Sequence, residues 1–229
     1  MIGILGAMTE EVRLIGERLS GATPLEIGGR DYTRGRLGDV DVVVSISGFG
    51  KVAAASTVTT MLDRYDPEAI LFTGVAGALD PAVKRGDVVV ADELVQHDFD
   101  ASPIVPRFVI PSLQTDRIPA DPAWTERVAA AAASSAAEVE VHRGLVLSGD
   151  RFIDTNQARA ELRSFFPDAL AVEMEGAAVA QVCQERSVPF AVIRAISDSA
   201  DDEAGADFLD FVEHRAAPLL AEIVAEALK

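Results

Sequence analysis

The chain has 229 residues, 49% of them hydrophobic, enough to bury the core of one domain, and no linker divides it. Lys and Arg number 20 against 37 Asp and Glu, a formal net charge of −17. That balance argues against nucleic acid and anionic membrane, whose capture depends on cationic side chains. A single cysteine, Cys183, excludes an internal disulfide framework and reads as a small core residue, and no run approaches the ~20 apolar residues of a membrane span.

Residues 1–8 form an apolar, β-rich run, too short and too poor in basic residues for a signal peptide, so a cytoplasmic protein is expected. Thr9-Glu10-Glu11 then opens a helix, with Thr9 as the expected N-cap and the glutamates at the positive end of the helix dipole. If the first strand is central, its carboxyl end faces the ligand crevice. One glutamate then serves structure and the other chemistry. Residues 21–38 read as a hairpin leading into an apolar strand at 41–47.

Ser47-Gly48-Phe49-Gly50-Lys51 follows, and a helix over 52–65 stops at Asp66-Pro67. Gly48, Gly50 and Ala53 fit G-x-G-x-x-[GA], the dinucleotide fingerprint. The next strand, however, ends without a ribose-binding acid, and this is not the first strand-to-helix turn. The turn therefore serves either close backbone approach to a smaller ligand or tight packing. A strand over 69–77 carries a second glycine-spaced turn at Gly74, and the two turns are expected to share a pocket floor.

A further strand over 86–94 runs into His97-Asp98-Phe99-Asp100. Nothing else supplies metal ligands at suitable spacing, so the expectation is no metal and a histidine hydrogen-bonded to a neighbouring carboxylate. Between residues 100 and 121, Pro103, Pro106, Pro111 and Pro119 break regular structure. Ile104, Val105, Phe108, Val109 and Ile110 are too apolar for a free loop, which points to a lid, a subunit contact, or both. Pro122 suits the first turn of an alanine-rich helix reaching about residue 138.

Residues 142–150 give a strand with a polar end, 155–166 a helix, and 169–175 a strand that passes into a helix at Gly176. In extended backbone Glu173 and Glu175 point to one side. Buried charge is costly unless paired, so at least one of them is expected to be functional. The apolar run from Pro189 ends in Ser197-Asp198, and a long helix over about 207–228 closes the chain. Open α/β sheets place ligands at such strand ends, although Ser197 and Asp198 equally suit capping. Arg194 is the expected internal partner of a nearby glutamate.

Carboxylates thus gather at strand ends: Glu10 and Glu11, Glu173 and Glu175, and Asp198. In a parallel sheet they share one edge. Separated carboxylates can break a glycosidic bond, one protonating the leaving group while another activates water and a third accepts hydrogen bonds from sugar hydroxyls.

Six segments carry a resemblance. They are Ile-Gly-Ile-Leu-Gly-Ala-Met-Thr-Glu-Glu (2–11), Ser-Gly-Phe-Gly-Lys-Val-Ala (47–53), Thr-Gly-Val-Ala-Gly (73–77), Leu-Ser-Gly-Asp-Arg-Phe-Ile (147–153), Ala-Val-Glu-Met-Glu-Gly-Ala-Ala (171–178) and Val-Ile-Arg-Ala-Ile-Ser-Asp-Ser-Ala-Asp (192–201). In this order they resemble the successive motifs of the 5′-methylthioadenosine/S-adenosylhomocysteine nucleosidases, within the nucleoside phosphorylase superfamily. The resemblance implies an α/β fold, one domain over 1–229, with three layers and a mixed, partly barrel-like central sheet between helices. It also implies a homodimer, with the 99–122 loop near the neighbouring site, and a small nucleoside substrate without a cofactor.

By the same resemblance, Asp198 corresponds to the general acid on adenine, Glu11 to the residue that activates water, and Glu175 to the ligand of the ribose hydroxyls. Met174 lies beneath the sugar, Phe152 and Ile153 hold the base, and Met8, Phe49 and Phe208 wall the sugar and its 5′-substituent. Ser197 and Val75 join the binding set. Val75 stands where close relatives often carry a hydroxyl, Phe49 is larger than the usual aliphatic residue, and the loop after His97 departs from the commonest version. These differences touch substrate choice rather than reaction type. A futalosine-type nucleosidase and a phosphate-dependent phosphorylase are the nearest rival readings, with a non-catalytic nucleoside binder and a dinucleotide-dependent oxidoreductase further off.

Overall fold

In the computed structural model, residues 1–135, 139–200 and 208–229 are described. The order is β1 (Ile2–Gly6), α1 (Thr9–Glu17), β2 (Ser20–Ile27), β3 (Arg30–Leu37), β4 (Val40–Ile46), α2 (Lys51–Tyr65), β5 (Ala69–Ala78) and β6 (Val88–Gln96). There follow β7 (Ile118–Pro119), α3 (Pro122–Ser135), β8 (Val141–Ser148), α4 (Asn156–Phe165), β9 (Ala169–Glu173), α5 (Gly176–Glu185) and β10 (Phe190–Asp198). The last element is a helix in three parts: α6 (Phe208–Phe211), a π-helical segment (Val212–Ala216) and α7 (Ala217–Ala227). The unbroken helix expected from the sequence is thus interrupted, and its expected start at Asp207 lies outside the described residues, as do Asp201 and the expected end of the alanine-rich helix near residue 138.

β1 is buried at every residue and lies between β4 and β5, parallel to both. β5 pairs with β10, β10 with β6, β6 with β8, β8 with β9, and β9 returns to β5, which closes a five-stranded barrel. β1, β4, β3 and β2 extend the sheet from β5. The parallel sheet inferred from the residues alone is therefore corrected to a mixed one, as the family resemblance implied. β5 and β9 run antiparallel, yet they pair only through Gly77–Val172 and Ala78–Ala171, near the carboxyl ends of both. Barrel closure is what lets strands of opposite direction deliver their ends to one place.

Strand alternation divides the core in two. Ile70 and Phe72 of β5, with Phe190 and Val192 of β10, pack against Ala54, Val58 and Met61 of α2 and Ala177 and Val179 of α5. Ala69, Leu71, Ala191 and Ile193 face the other way, onto Val12 and Ile15 of α1, Val128 of α3 and Leu220 and Val224 of α7. Helices therefore cover both faces. Full burial of a Leu or Ile side chain contributes roughly 1.5–3 kcal/mol, and dozens do so here. Among the described residues no helix is long and apolar enough to cross a membrane.

Two local expectations change. Gly74 lies inside β5 rather than in a turn, so only the Gly48 turn remains of the expected pair. α1 is capped from Met8 rather than Thr9, which is already helical. The segment from 100 to 121 is ordered by turns, an Ile110–Thr115 bridge and the short β7 on β6, so Pro119 ends up inside a strand.

Candidate active site

One cleft of about 550 Å³ opens where β1, β5, β8, β9 and β10 end, and Met8, Glu11, Phe49, Val75, Phe152, Ile153, Met174, Glu175, Ser197, Asp198 and Phe208 all line it. The eleven residues singled out in the sequence therefore meet at one place. This volume falls within the roughly 300–1,000 Å³ of small-molecule sites.

Glu11 enters from the first turn of α1. Its Oε2 accepts the amide hydrogens of Ala7 at 2.6 Å and Met8 at 2.9 Å, and its Oε1 accepts that of Val75 at 3.0 Å. Burial pushes its carboxyl above the usual range, against the pull of the Arg194 charge and these amides. Glu10 is half-exposed and does not line the cleft, so the division of labour within the pair falls to Glu11 for the site.

Asp198 ends β10, where the register against β5 slips: Ile196 pairs with Ala76 and Asp198 with Gly77, leaving Ser197 as the extra residue. Such a bulge re-aims side chains. Both Ser197 and Asp198 consequently reach the cleft. Asp198 Oδ2 accepts the Ser197 hydroxyl at 2.6 Å, and Oδ1 accepts the Ala200 amide at 2.8 Å. A Cβ on Gly77 would stand 2.8 Å from Asp198 Oδ1, so glycine makes room for the acid. Capping and cleft lining, separate readings in the sequence, are both present in Asp198.

Glu173 and Glu175 do not stay on one side as extended backbone requires, because β9 ends at Glu173 and the chain turns before α5. Glu173 turns to Arg194, with Nη2 at 2.8 Å from Oε2, and accepts from Ser148 Oγ and the Gly176 amide. These charged side chains are 3% and 2% exposed, so the pairing expected for Arg194 is fulfilled in full burial. Glu175 instead accepts the Gly50 amide at 2.7 Å. Burial and the Glu173 charge push its carboxyl up to about 8.

His97 departs from expectation. Its Nε2 is buried without a hydrogen-bond partner, and burial holds the imidazole below its usual range. Asp98 turns away to Lys51, and Asp100 to Ser102. The sequence reading also passed over Asp150, which ends the β8 segment and binds the Lys51 amide at 2.7 Å, and over Arg151, which lines the cleft. A carboxylate directly after an apolar strand was the available signal for Asp150. Among the described residues one group, Asp87, Glu140 and His142, has metal-ligand spacing; it does not line the cleft, and His142 Nε2 already pairs with Asp87 Oδ2 at 3.0 Å.

A closed mixed barrel carrying three carboxylates at converging strand ends defines a class, and the profile of the phosphorylase superfamily matches the chain over residues 1–229. Solved structures narrow it. The 5′-methylthioadenosine/S-adenosylhomocysteine nucleosidase of Neisseria meningitidis, in complex with methylthio-immucillin-A, is 35% identical with a TM-score of 0.94, the match covering 100% of this chain and 98% of that one. The S-adenosylhomocysteine nucleosidase of Streptococcus pyogenes, with 5-methylthiotubericidin, is 34% identical with a TM-score of 0.93, covering 99% and 95%. An aspartate-to-asparagine variant of the Helicobacter pylori nucleosidase, with 5′-methylthioadenosine in its active site, is 35% identical with a TM-score of 0.91, covering 99% and 97%. The chain belongs to the 5′-methylthioadenosine/S-adenosylhomocysteine nucleosidases of the phosphorylase superfamily.

Proposed function

We propose that this protein hydrolyses the N-glycosidic bond of 5′-methylthioadenosine, S-adenosylhomocysteine and related 5′-substituted adenosines, releasing adenine and the thioribose. The observation that carries the proposal is the convergence of Glu11, Glu175 and Asp198 from separate strand ends into one cleft, in a chain akin to nucleosidases over its whole length. As the C1′–N bond breaks, its electron pair passes to the base. Asp198 protonates a ring nitrogen of adenine, which would otherwise leave as a poor anion. Ser197 orients that acid through the hydroxyl bonded to Oδ2. Glu11 takes a proton from the water whose oxygen adds to C1′. Glu175 accepts from the ribose hydroxyls, with Met174 beneath the sugar.

Phe152 and Ile153 hold the base, and Met8, Phe49, Val75 and Phe208 wall the sugar and its 5′-substituent. No step calls for a cofactor. The chain works as one domain over 1–229, in the cytoplasm and as a homodimer that brings the 99–122 loop near the neighbouring site. Ile104, 89% exposed on that loop, is available for such a contact.

Adenine release from methylthioadenosine, followed by chromatography with and without phosphate, tests the reading. Release without phosphate is expected, because a carboxylate beside the nucleophile polarises water and repels phosphate. Strict phosphate dependence would establish a phosphorylase instead, and turnover of a futalosine-type nucleoside alone would establish the other hydrolase.

A further inference from the structure

The first amides of α2 are taken by carboxylates from two different strand ends. Gly50 N donates to Glu175 Oε1 at 2.7 Å, and Lys51 N donates to Asp150 Oδ1, also at 2.7 Å. Asp150 is itself held, because its own amide donates to Asp98 Oδ2 at 2.8 Å. Asp98 Oδ1 in turn accepts from Lys51 Nζ at 2.5 Å, which closes a ring of three residues. Lys51 Nζ reaches Gln96 Oε1 at 3.1 Å as well. The Lys51 and Asp98 side chains are 16% and 31% exposed, so water screens this pair less than a surface one. Gly50 has φ 88°, and a Cβ there would stand 2.9 Å from Asp150 Oδ1. The turn can come this close only as glycine.

The ring joins the end of β6, the end of β8 and the start of α2. Phe49 precedes Gly50, and Phe152 follows Asp150 by two residues; both line the cleft. We propose that Asp150, held by Lys51 and Asp98, is a positioning residue for the sugar half of the site. By fixing the Lys51 amide it fixes the neighbouring Gly50 amide, and through it the direction in which the Glu175 carboxylate faces the ribose hydroxyls. This rests on the role proposed above for Glu175. The plain alternative is a helix cap that contributes stability alone.

The two differ in what they do to substrates. An interaction through Glu175 is felt equally in the ground and transition states, so its loss raises KM more than it lowers kcat. Asp150→Ala is expected to raise KM for methylthioadenosine about tenfold with a smaller change in kcat. Asp150→Asn, whose amide oxygen still accepts from Lys51 N, should recover most of that loss. With the 3′-deoxy analogue, which offers Glu175 less to hold, the penalty should shrink to about twofold. An equal penalty on both substrates, or a lowered Tm with KM unchanged, would overturn the proposal.

Calorimetric binding of adenosine and 3′-deoxyadenosine to the wild type and Asp150→Ala reads the same coupling without turnover. It therefore decides on Asp150 even if methylthioadenosine is not hydrolysed. Asp98→Asn, which loosens Asp150 from its other side, carries the same comparison if Asp150→Ala does not fold.

Discussion

Glu11 reaches from the first turn of α1 to the interior of β5, where its Oε1 accepts the Val75 amide at 3.0 Å. The approach depends on Gly74, since a Cβ there would stand 2.7 Å from Oε1. With Ala7 N and Met8 N on Oε2, three of the roughly four acceptor positions of the carboxylate are filled by backbone. One remains for water, held at a fixed angle.

Replacing Glu11 by Gln should lower kcat for adenine release about 10²-fold or more while nucleoside binding, measured by calorimetry, stays within severalfold. Burial raises the Glu11 carboxyl, and the base form is the ionised one. Activity should therefore fall as pH drops through a value above the usual glutamate range near 4.3, and that acid limb should be missing from the residual kcat profile of Glu11→Gln. An unchanged limb would assign it to another group.

Asp198→Asn should cut turnover about 10²- to 10⁴-fold, the usual contribution of a placed acid. The asparagine oxygen can still accept from the Ala200 amide, so the fold and adenosine binding should persist. Activity within tenfold of the wild type would remove Asp198 from the role.

Glu175 offers a test on stability. Its carboxyl is pushed up to about 8 in the fold, by burial first and the Glu173 charge second, whereas unfolded chain returns it to the ordinary range. Between about pH 4.5 and 8 the folded state then holds the extra proton, so stability falls as pH rises through that window. Glu175→Gln keeps an acceptor for Gly50 N and cannot ionise. Its Tm relative to the wild type should increase steadily from pH 5 to 8. A constant difference would show that Glu175 titrates as usual.

Glu173 and Arg194 are a buried pair, and removing one partner strands the other. Glu173→Ala should cost about 3–5 kcal/mol, a drop in Tm on the order of 10 °C for a chain of this size. The loss also uncaps the Gly176 amide and Ser148 Oγ. Glu173→Met combined with Arg194→Met should recover part of the stability, by removing both charges together.

Much of the site was legible because strand ends announce themselves: an apolar run that stops in Ser197-Asp198, or in Glu173-Met174-Glu175, must open onto something polar. The bulge at Ser197 was not legible, since nothing in an apolar run marks where its partner's register slips. The diverging partners of Glu173 and Glu175 were equally hidden. Strand periodicity puts them together, and only the position of Arg194 on β10 and of Gly50 ahead of α2 separates them. His97 shows the reverse error. Its sequence neighbours are acids, but Lys51, 46 positions earlier, draws Asp98 away.

By itself the sequence determined the order of strands and helices, the acidic and disulfide-free character of the chain, and which carboxylates stand at strand ends. These follow from local patterns, alternation and capping, which are written along the chain. Tertiary structure decided that β5 and β10 pair to close a barrel, and hence that Glu11, Glu175 and Asp198 face one cleft although 23 to 187 positions separate them. It also decided that Arg194 neutralises Glu173, leaving Glu175 buried without a cation of its own and holding its proton near neutral pH. The reason is that desolvation and charge pairing depend on distances through space, which strand closure sets and sequence spacing does not.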